Sequence, residues 1–131
     1  TYIAVFRVRG LEKAIYRYLS LDHQLVEVAV FEDLEQRVAR MAMGQRFAGT
    51  SAATFIWTTV TQRMEWRYGQ AAYKVIALDA GHVCQNLYLA CEAVGCGTCA
   101  IAAYDQEFSD QVLGVDGEDE FTISMAPVSK V

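Results

Sequence analysis

The chain has 131 residues, 53% of them hydrophobic and 21% charged, with a formal net charge of −5 at pH 7. That length leaves room for one core, so a single domain over residues 1–131 is expected. The acidic balance and singly scattered Lys and Arg argue against a nucleic-acid partner; no apolar run is long enough for a bilayer and no signal-peptide pattern opens the chain, which predicts a cytoplasmic protein with no membrane partner.

Aromatic and β-branched content makes Tyr2 to Val8 a strand, and Gly10 with its charged neighbours a turn. "AIYRYLSL" and "QLVEVAVF" follow, joined by "DHQ", which predicts two more strands and a three-stranded antiparallel meander. His23 in that turn is expected to be exposed. In "DLEQRVARMAM", Leu34, Val38 and Met41 fall on one face of a helix that Asp33 can cap and Gly44 can end. The loop "RFAGTSAA" then leads into "TFIWTTV", a β-branched run with no charge that reads as a central strand covered on both faces.

From Tyr73 to Val94 the sequence holds no proline, and Gly95 stands where a C-terminal cap belongs, so a long helix is predicted. Its apolar residues surround nearly the whole helix, which calls for burial inside a domain or between subunits. "TCAIAAY" (98–104) reads as a strand, "DQEFSDQVLG" as a short helix capped by Asp105, "DGEDE" as a solvated turn, and "FTISMAPV" as a last strand. The fold class is α+β: a mixed, mostly antiparallel sheet flanked by helices, with a long buried central helix.

Four cysteines, Cys84, Cys91, Cys96 and Cys99, fall within sixteen residues. The spacing from Cys91 to Cys99 matches a plant-type iron–sulfur motif, but Cys91 lies within the predicted helix and Cys84 sits two turns before it on the same face. A thioredoxin-like pair needs Cys-x-x-Cys at a helix start, whereas Cys96 follows a helix end, where the dipole disfavours a thiolate. Packing thiols in a reducing compartment are the remaining reading. Asp79, His82 and Asn86 form a polar stripe on the long helix, with Gln85 at its edge. A histidine beside a carboxylate suits acid–base chemistry or a metal, but a partnered buried pair explains it as well. No second ligand motif accompanies it, so no metal site is expected.

The segment "LDAGHVCQNLYLACEAVGCGTCAIAAYD", Leu78 to Asp105, resembles the most characteristic stretch of the nitroreductase-like FMN oxidoreductases, and within them the SagB-type dehydrogenases, which include azoline (thiazoline and oxazoline) oxidases of modified peptides. "RGLEKAIYRYLSLDHQL", "TFIWTTVTQRMEWRYGQAAYK" and "FSDQVLGVDGEDEFTISMAPVSK" agree in order. The resemblance implies a nitroreductase-like fold and a homodimer with FMN at the interface. It also implies hydride transfer between a nicotinamide donor, NAD(P)H, or an azoline or nitro-type substrate and the flavin, on a small molecule or peptide. In such enzymes the cofactor performs the redox step and the protein orients it. By position, Ala100, Ile101, Ala102 and Ala103 would lie beside the isoalloxazine and Lys130 would reach the phosphate, with Ser129 where glycine is common. Arg67, Tyr68, Gly69 and Tyr73 would line the substrate side. No catalytic residue is assigned. The family's arginine-rich N-terminal segment finds no match here, so the chain reads as the C-terminal portion of the family domain, and a shortened, non-catalytic module acting in dimerisation or complex formation is the alternative.

Overall fold

The computed structural model describes residues 1–131. Its first three strands, β1 (Tyr2–Val5), β2 (Ala14–Leu19) and β3 (Gln24–Ala29), form the predicted antiparallel meander. β1 stops three residues short of the expected end. The N–H groups of Phe6 and Arg7 both donate to the Ala52 carbonyl, and the Arg7 guanidinium turns onto the carbonyls of Thr50 and Ser51, drawing the chain out of the ladder. Helix α1 (Leu34–Met41) buries Leu34, Val38 and Met41 as their spacing requires. Asp33 does hold its N-cap position, but the carboxylate makes no cap bond; it accepts from Arg37 Nε at 2.7 Å instead, and this hydrogen bond holds its pKa below the ordinary value.

A short helix, α2 (Arg46–Thr50), occupies the predicted loop and precedes β4 (Ala53–Val60). Then come α3 (Gln62–Tyr68), a 3₁₀ turn (Gly69–Ala71), α4 (Ala72–Ala93), β5 (Cys96–Thr98), α5 (Gln106–Leu113) and β6 (Glu120–Lys130). The six strands lie in the order β3-β2-β1-β4-β6-β5, and every ladder is antiparallel. β4 is central, as its β-branched run implies, with Ile56 facing one layer and Trp57 the other.

One face of the sheet carries the main core: Ile15, Ile56 and Met125 pack with Leu34, Val38 and Met41 of α1 and with Val112 and Leu113 of α5. α2 packs closely on α1. A methyl group on Gly49 would stand 2.1 Å from the Glu35 carbonyl oxygen, so glycine lets the two backbones approach. Asp110 closes this layer from below, its buried carboxylate accepting from both the N–H and the hydroxyl of Thr122 at 2.6 and 2.7 Å.

The other face is covered by α4, where Cys84 meets Trp57 and Ala126, flanked by Phe55, Leu87 and Ile123. The long helix forms where expected and runs into Gly95, whose φ of +68° gives the left-handed turn that leads to β5. Within this chain, however, only Ala72, Ile76, Cys84 and Cys91 of α4 are buried. Tyr73, Leu78, Val83, Tyr88, Leu89 and Val94 are exposed, because the sheet covers a single side of the helix.

Candidate functional site

The predicted strand from Thr98 to Tyr104 is mostly not a strand. β5 ends at Thr98, and beyond it a single bridge joins Ile101 to Met125. The ladder breaks because the Ala100 N–H donates to the Tyr88 hydroxyl of α4, at 2.7 Å, rather than to β6. Ile101 alone turns inward, 3% exposed, and donates its N–H to the Met125 carbonyl at 2.8 Å.

The exit of the segment is held from the opposite face. Gln45, just past α1, donates from Nε2 to the Ala42 carbonyl and to the Ala103 carbonyl, at 2.9 and 3.0 Å. The Asp105 N–H donates to the Met41 carbonyl, at 2.8 Å, and the Asp105 carboxylate then caps α5 by accepting from the Phe108 N–H. Between these anchors the side chains of Ala102 and Ala103 are exposed and small, and their N–H groups find no acceptor in the chain. Two adjacent, unpaired donors on an edge without bulky side chains suit the rim of a flat, acceptor-bearing ring.

Two cavities lie near the start of the segment, neither of them lined by Ala102 or Ala103. One, of about 380 Å³, lies between α4 and β6 and touches Gly81, Cys84, Gln85, Tyr88, Ala100 and Ser124. The other, of about 360 Å³, lies on the α2 side and touches Phe47, Gly97, Thr98, Cys99, Ser129 and Lys130. Beside the second, Thr98 Oγ1 is buried beneath the surface without a hydrogen-bond partner. A buried hydroxyl of that kind costs about 1–3 kcal/mol unless a ligand or water satisfies it. Lys130 pairs with Cys96 at the far end of β5, five positions along β6 from Met125, or roughly 17 Å at the rise of a strand. Lys130 and Ala102 therefore mark the two ends of one sheet edge and do not meet.

The largest cavity, about 830 Å³, is elsewhere. It opens between α1 and α2, has Glu35, Arg40 and Arg46 on its walls although most of its lining surface is apolar, and reaches the segment only at Tyr104 and Asp105. Tyr104 itself donates to the Thr122 carbonyl at 3.1 Å, and burial, with the Asp110 carboxylate nearby, raises its pKa.

The polar stripe of α4 does not form a pair. Asp79, His82 and Asn86 are all exposed, and the His82 ring bonds through Nδ1 to the Leu78 carbonyl of its own helix at 2.8 Å. The thiols divide by depth. Cys84 and Cys91 are buried on the sheet side of α4, and burial, reinforced by the thiols of Cys99 and Cys96 respectively, raises their pKa. Cys96 lies in β5 and Cys99 just beyond it, half-buried and exposed. Arg67 and Tyr68 end α3, which buries none of its residues; Tyr68 and Tyr73 are exposed.

The resemblance singles out Ala100 to Ala103, but nothing in the sequence marks Gln45 and Tyr88, which bond to that segment, or the buried, unpartnered Thr98 hydroxyl. A tyrosine on the helix and a threonine in the strand carry no pattern of their own. Gln45 signals nothing until the fold brings it across 58 positions of sequence to Ala103.

The model of the Nitroreductase family matches residues 3–129. A provisionally named nitroreductase of Methanocaldococcus jannaschii is 28% identical over 130 residues, spanning 98% of this chain and 63% of that protein. The crystal structure of a provisionally named nitroreductase from Anabaena variabilis superposes with a TM-score of 0.89 at 27% identity, over 98% of this chain and 26% of that one. A chain of the Escherichia coli microcin synthetase McbBCD complex, solved with truncated pro-MccB17 bound, gives a TM-score of 0.85 at 15% identity, over 99% of this chain and 50% of that one. The chain thus spans less than two thirds of each of these relatives.

Proposed function

The chain belongs to the nitroreductase family, and on that premise we propose that it serves as an FMN-dependent oxidoreductase of the SagB-type branch. In this reading hydride passes between a nicotinamide donor or an azoline-type substrate and the flavin. The observation that carries the proposal is the sheet edge at Ala100–Ala103, with two adjacent unpaired N–H donors, small side chains and anchors on both sides.

The residues present fit such a group. Ala100, Ala102 and Ala103 allow a flat ring to reach the main chain, and the N–H groups of Ala102 and Ala103 would donate to its acceptor atoms. Buried Ile101 keeps the segment seated on the sheet while its neighbours face outward. At the other end of the edge, Lys130 borders one cavity, where its ammonium would hold a phosphate. When bound, the flavin supplies the hydride chemistry; the protein's part is orientation, charge and exclusion of water.

The outward apolar face of α4 is where a second copy of the chain would pack, giving a homodimer and shielding the same edge from solvent. The likeness to a chain of the McbBCD complex, which was solved with a truncated precursor bound, supports a peptide-derived substrate. Arg67, Tyr68 and Tyr73, near the start of α4, would line its side of the pocket.

The test is the visible spectrum of the purified protein before and after incubation with FMN and desalting, followed by NADPH. Retained flavin bands that bleach with the nicotinamide support the reading. A folded protein that takes up no flavin overturns it. The exposed face of α4 favours one second reading, an association module without catalysis, which self-association without flavin uptake would select.

A further inference from the structure

From the hydrogen bonds that bracket residues 100 to 105, we propose that Tyr88 and Gln45 are positioning residues that clamp the segment so that the Ala102 and Ala103 N–H donors are held in place before a ligand arrives. The inference rests on the flavin reading for the identity of the ligand, and on this chain's own bonds for the clamp.

Consider the peptide units in order. The unit that carries the Ala100 N–H is fixed by the Tyr88 hydroxyl at 2.7 Å, and the next, with the Ile101 N–H, by the Met125 carbonyl at 2.8 Å. The two after that present the N–H groups of Ala102 and Ala103, which have no acceptor in the chain. The following unit is fixed through the Ala103 carbonyl by Gln45 at 3.0 Å, and the one beyond it by the bond from the Asp105 N–H to the Met41 carbonyl at 2.8 Å. Two unpaired N–H donors thus sit between two fixed pairs of peptide units.

The clamp closes from both faces of the sheet: Tyr88 comes from α4, and Gln45 follows α1. Gln45 is itself braced, since the same Nε2 also donates to the Ala42 carbonyl at the end of α1. A short exposed segment without ladder bonds would otherwise sample many conformations, and each would have to be given up on binding. Donors fixed in advance avoid that cost and keep their aim on whichever form of the ligand offers more bare acceptor atoms. For a flavin ring that is the oxidised form, since reduction adds a proton to the ring edge.

Two near-isosteric variants, Tyr88→Phe and Gln45→Met, remove the clamp while keeping volume. In the flavin-free full chain, amide exchange followed residue by residue is expected to quicken about tenfold or more at Ala100 in Tyr88→Phe. In Gln45→Met it is expected to quicken at Asp105. With FMN, each variant is expected to bind about tenfold more weakly, and the flavin midpoint potential to rise by roughly 30 mV if the oxidised form loses that factor alone. A change confined to overall stability would leave the potential where it was. Wild-type exchange rates in both variants overturn the clamp. Faster exchange with unchanged FMN affinity and potential overturns its role toward the ligand. A wild-type chain that binds no FMN overturns the flavin reading, and the exchange data distinguish that failure from a failure of the clamp.

Discussion

Helices α1 and α4 lie on opposite faces of one sheet and use their apolar residues differently. α1 spends its three large apolar side chains, Leu34, Val38 and Met41, entirely inside the core, each fully buried. α4 is 22 residues long and buries four, while Leu78, Leu89 and Tyr73 stand 52%, 62% and 67% exposed. A helix that keeps large apolar groups in water is shaped for more than the sheet beneath it. The apolar residues of α1 are consumed in folding this chain, and those on the outer face of α4 are not.

The largest effect should come from the side of α1. Leu34→Ala removes a fully buried side chain and is expected to cost about 2–5 kcal/mol, read by urea denaturation. Gly49→Ala comes next: its methyl cannot coexist with the Glu35 carbonyl at 2.1 Å, so α2 must lift from α1 at a cost of about 1–3 kcal/mol. A thermal midpoint unchanged by Gly49→Ala would mean that the contact between α1 and α2 is looser than described. Leu89→Asp, on the outer face of α4, should alter the stability of the single chain by no more than about 0.5 kcal/mol, yet abolish the proposed packing of a second copy, read by sedimentation. Equal losses of stability from Leu34→Ala and Leu89→Asp would erase the distinction between the helices.

The buried thiols of α4 give a pH signature. Their pKa values are raised in the fold, so the protonated form is the favoured one. Their contribution is therefore intact below the ordinary thiol value of 9.0 and is lost as pH rises through it, first in the unfolded chain and then in the folded one. Replacing Cys84 and Cys91 with alanine should flatten the decline in denaturation midpoint above that pH. The smallest effect belongs to the exposed pair at the start of α1: Arg37→Ala, which also removes the guanidinium from the Phe31 ring, should lower the denaturation midpoint only slightly, and less in high salt.

Much of this was legible in the sequence because local patterns and global packing agree. The meander, α1 and β4 follow from aromatic and β-branched content with a polar turn, helical spacing and a β-branched run; burial matches the pattern in α1 and β4, whereas edge strand β3 leaves Leu25, Val26 and Val28 exposed. α3 escaped because "QRMEWRY" buries nothing and so carries no apolar stripe; Trp66 is 80% exposed. The run from Thr98 to Tyr104 looked like a strand by composition, but a tyrosine hydroxyl one layer away takes the N–H a ladder would need. Resemblance marked Ala100 to Ala103 as a site. The bonds that hold them come from Gln45 and Tyr88, remote or unpatterned in sequence, and only folding brings them together.

The position of β6 also bears on how the molecule forms. Residues paired between β4 and β6 stand 60 to 75 positions apart, and β5 has no other strand to pair with. The meander can assemble from neighbours, but the bond from Ile101 to Met125 that seats the Ala100–Ala103 edge on the sheet cannot form until β6 arrives. Contacts of that separation close slowly. In refolding experiments the secondary structure of β1 to β3 should therefore appear early, and amide protection at Ile101 should be acquired last, at the rate with which β6 enters the sheet.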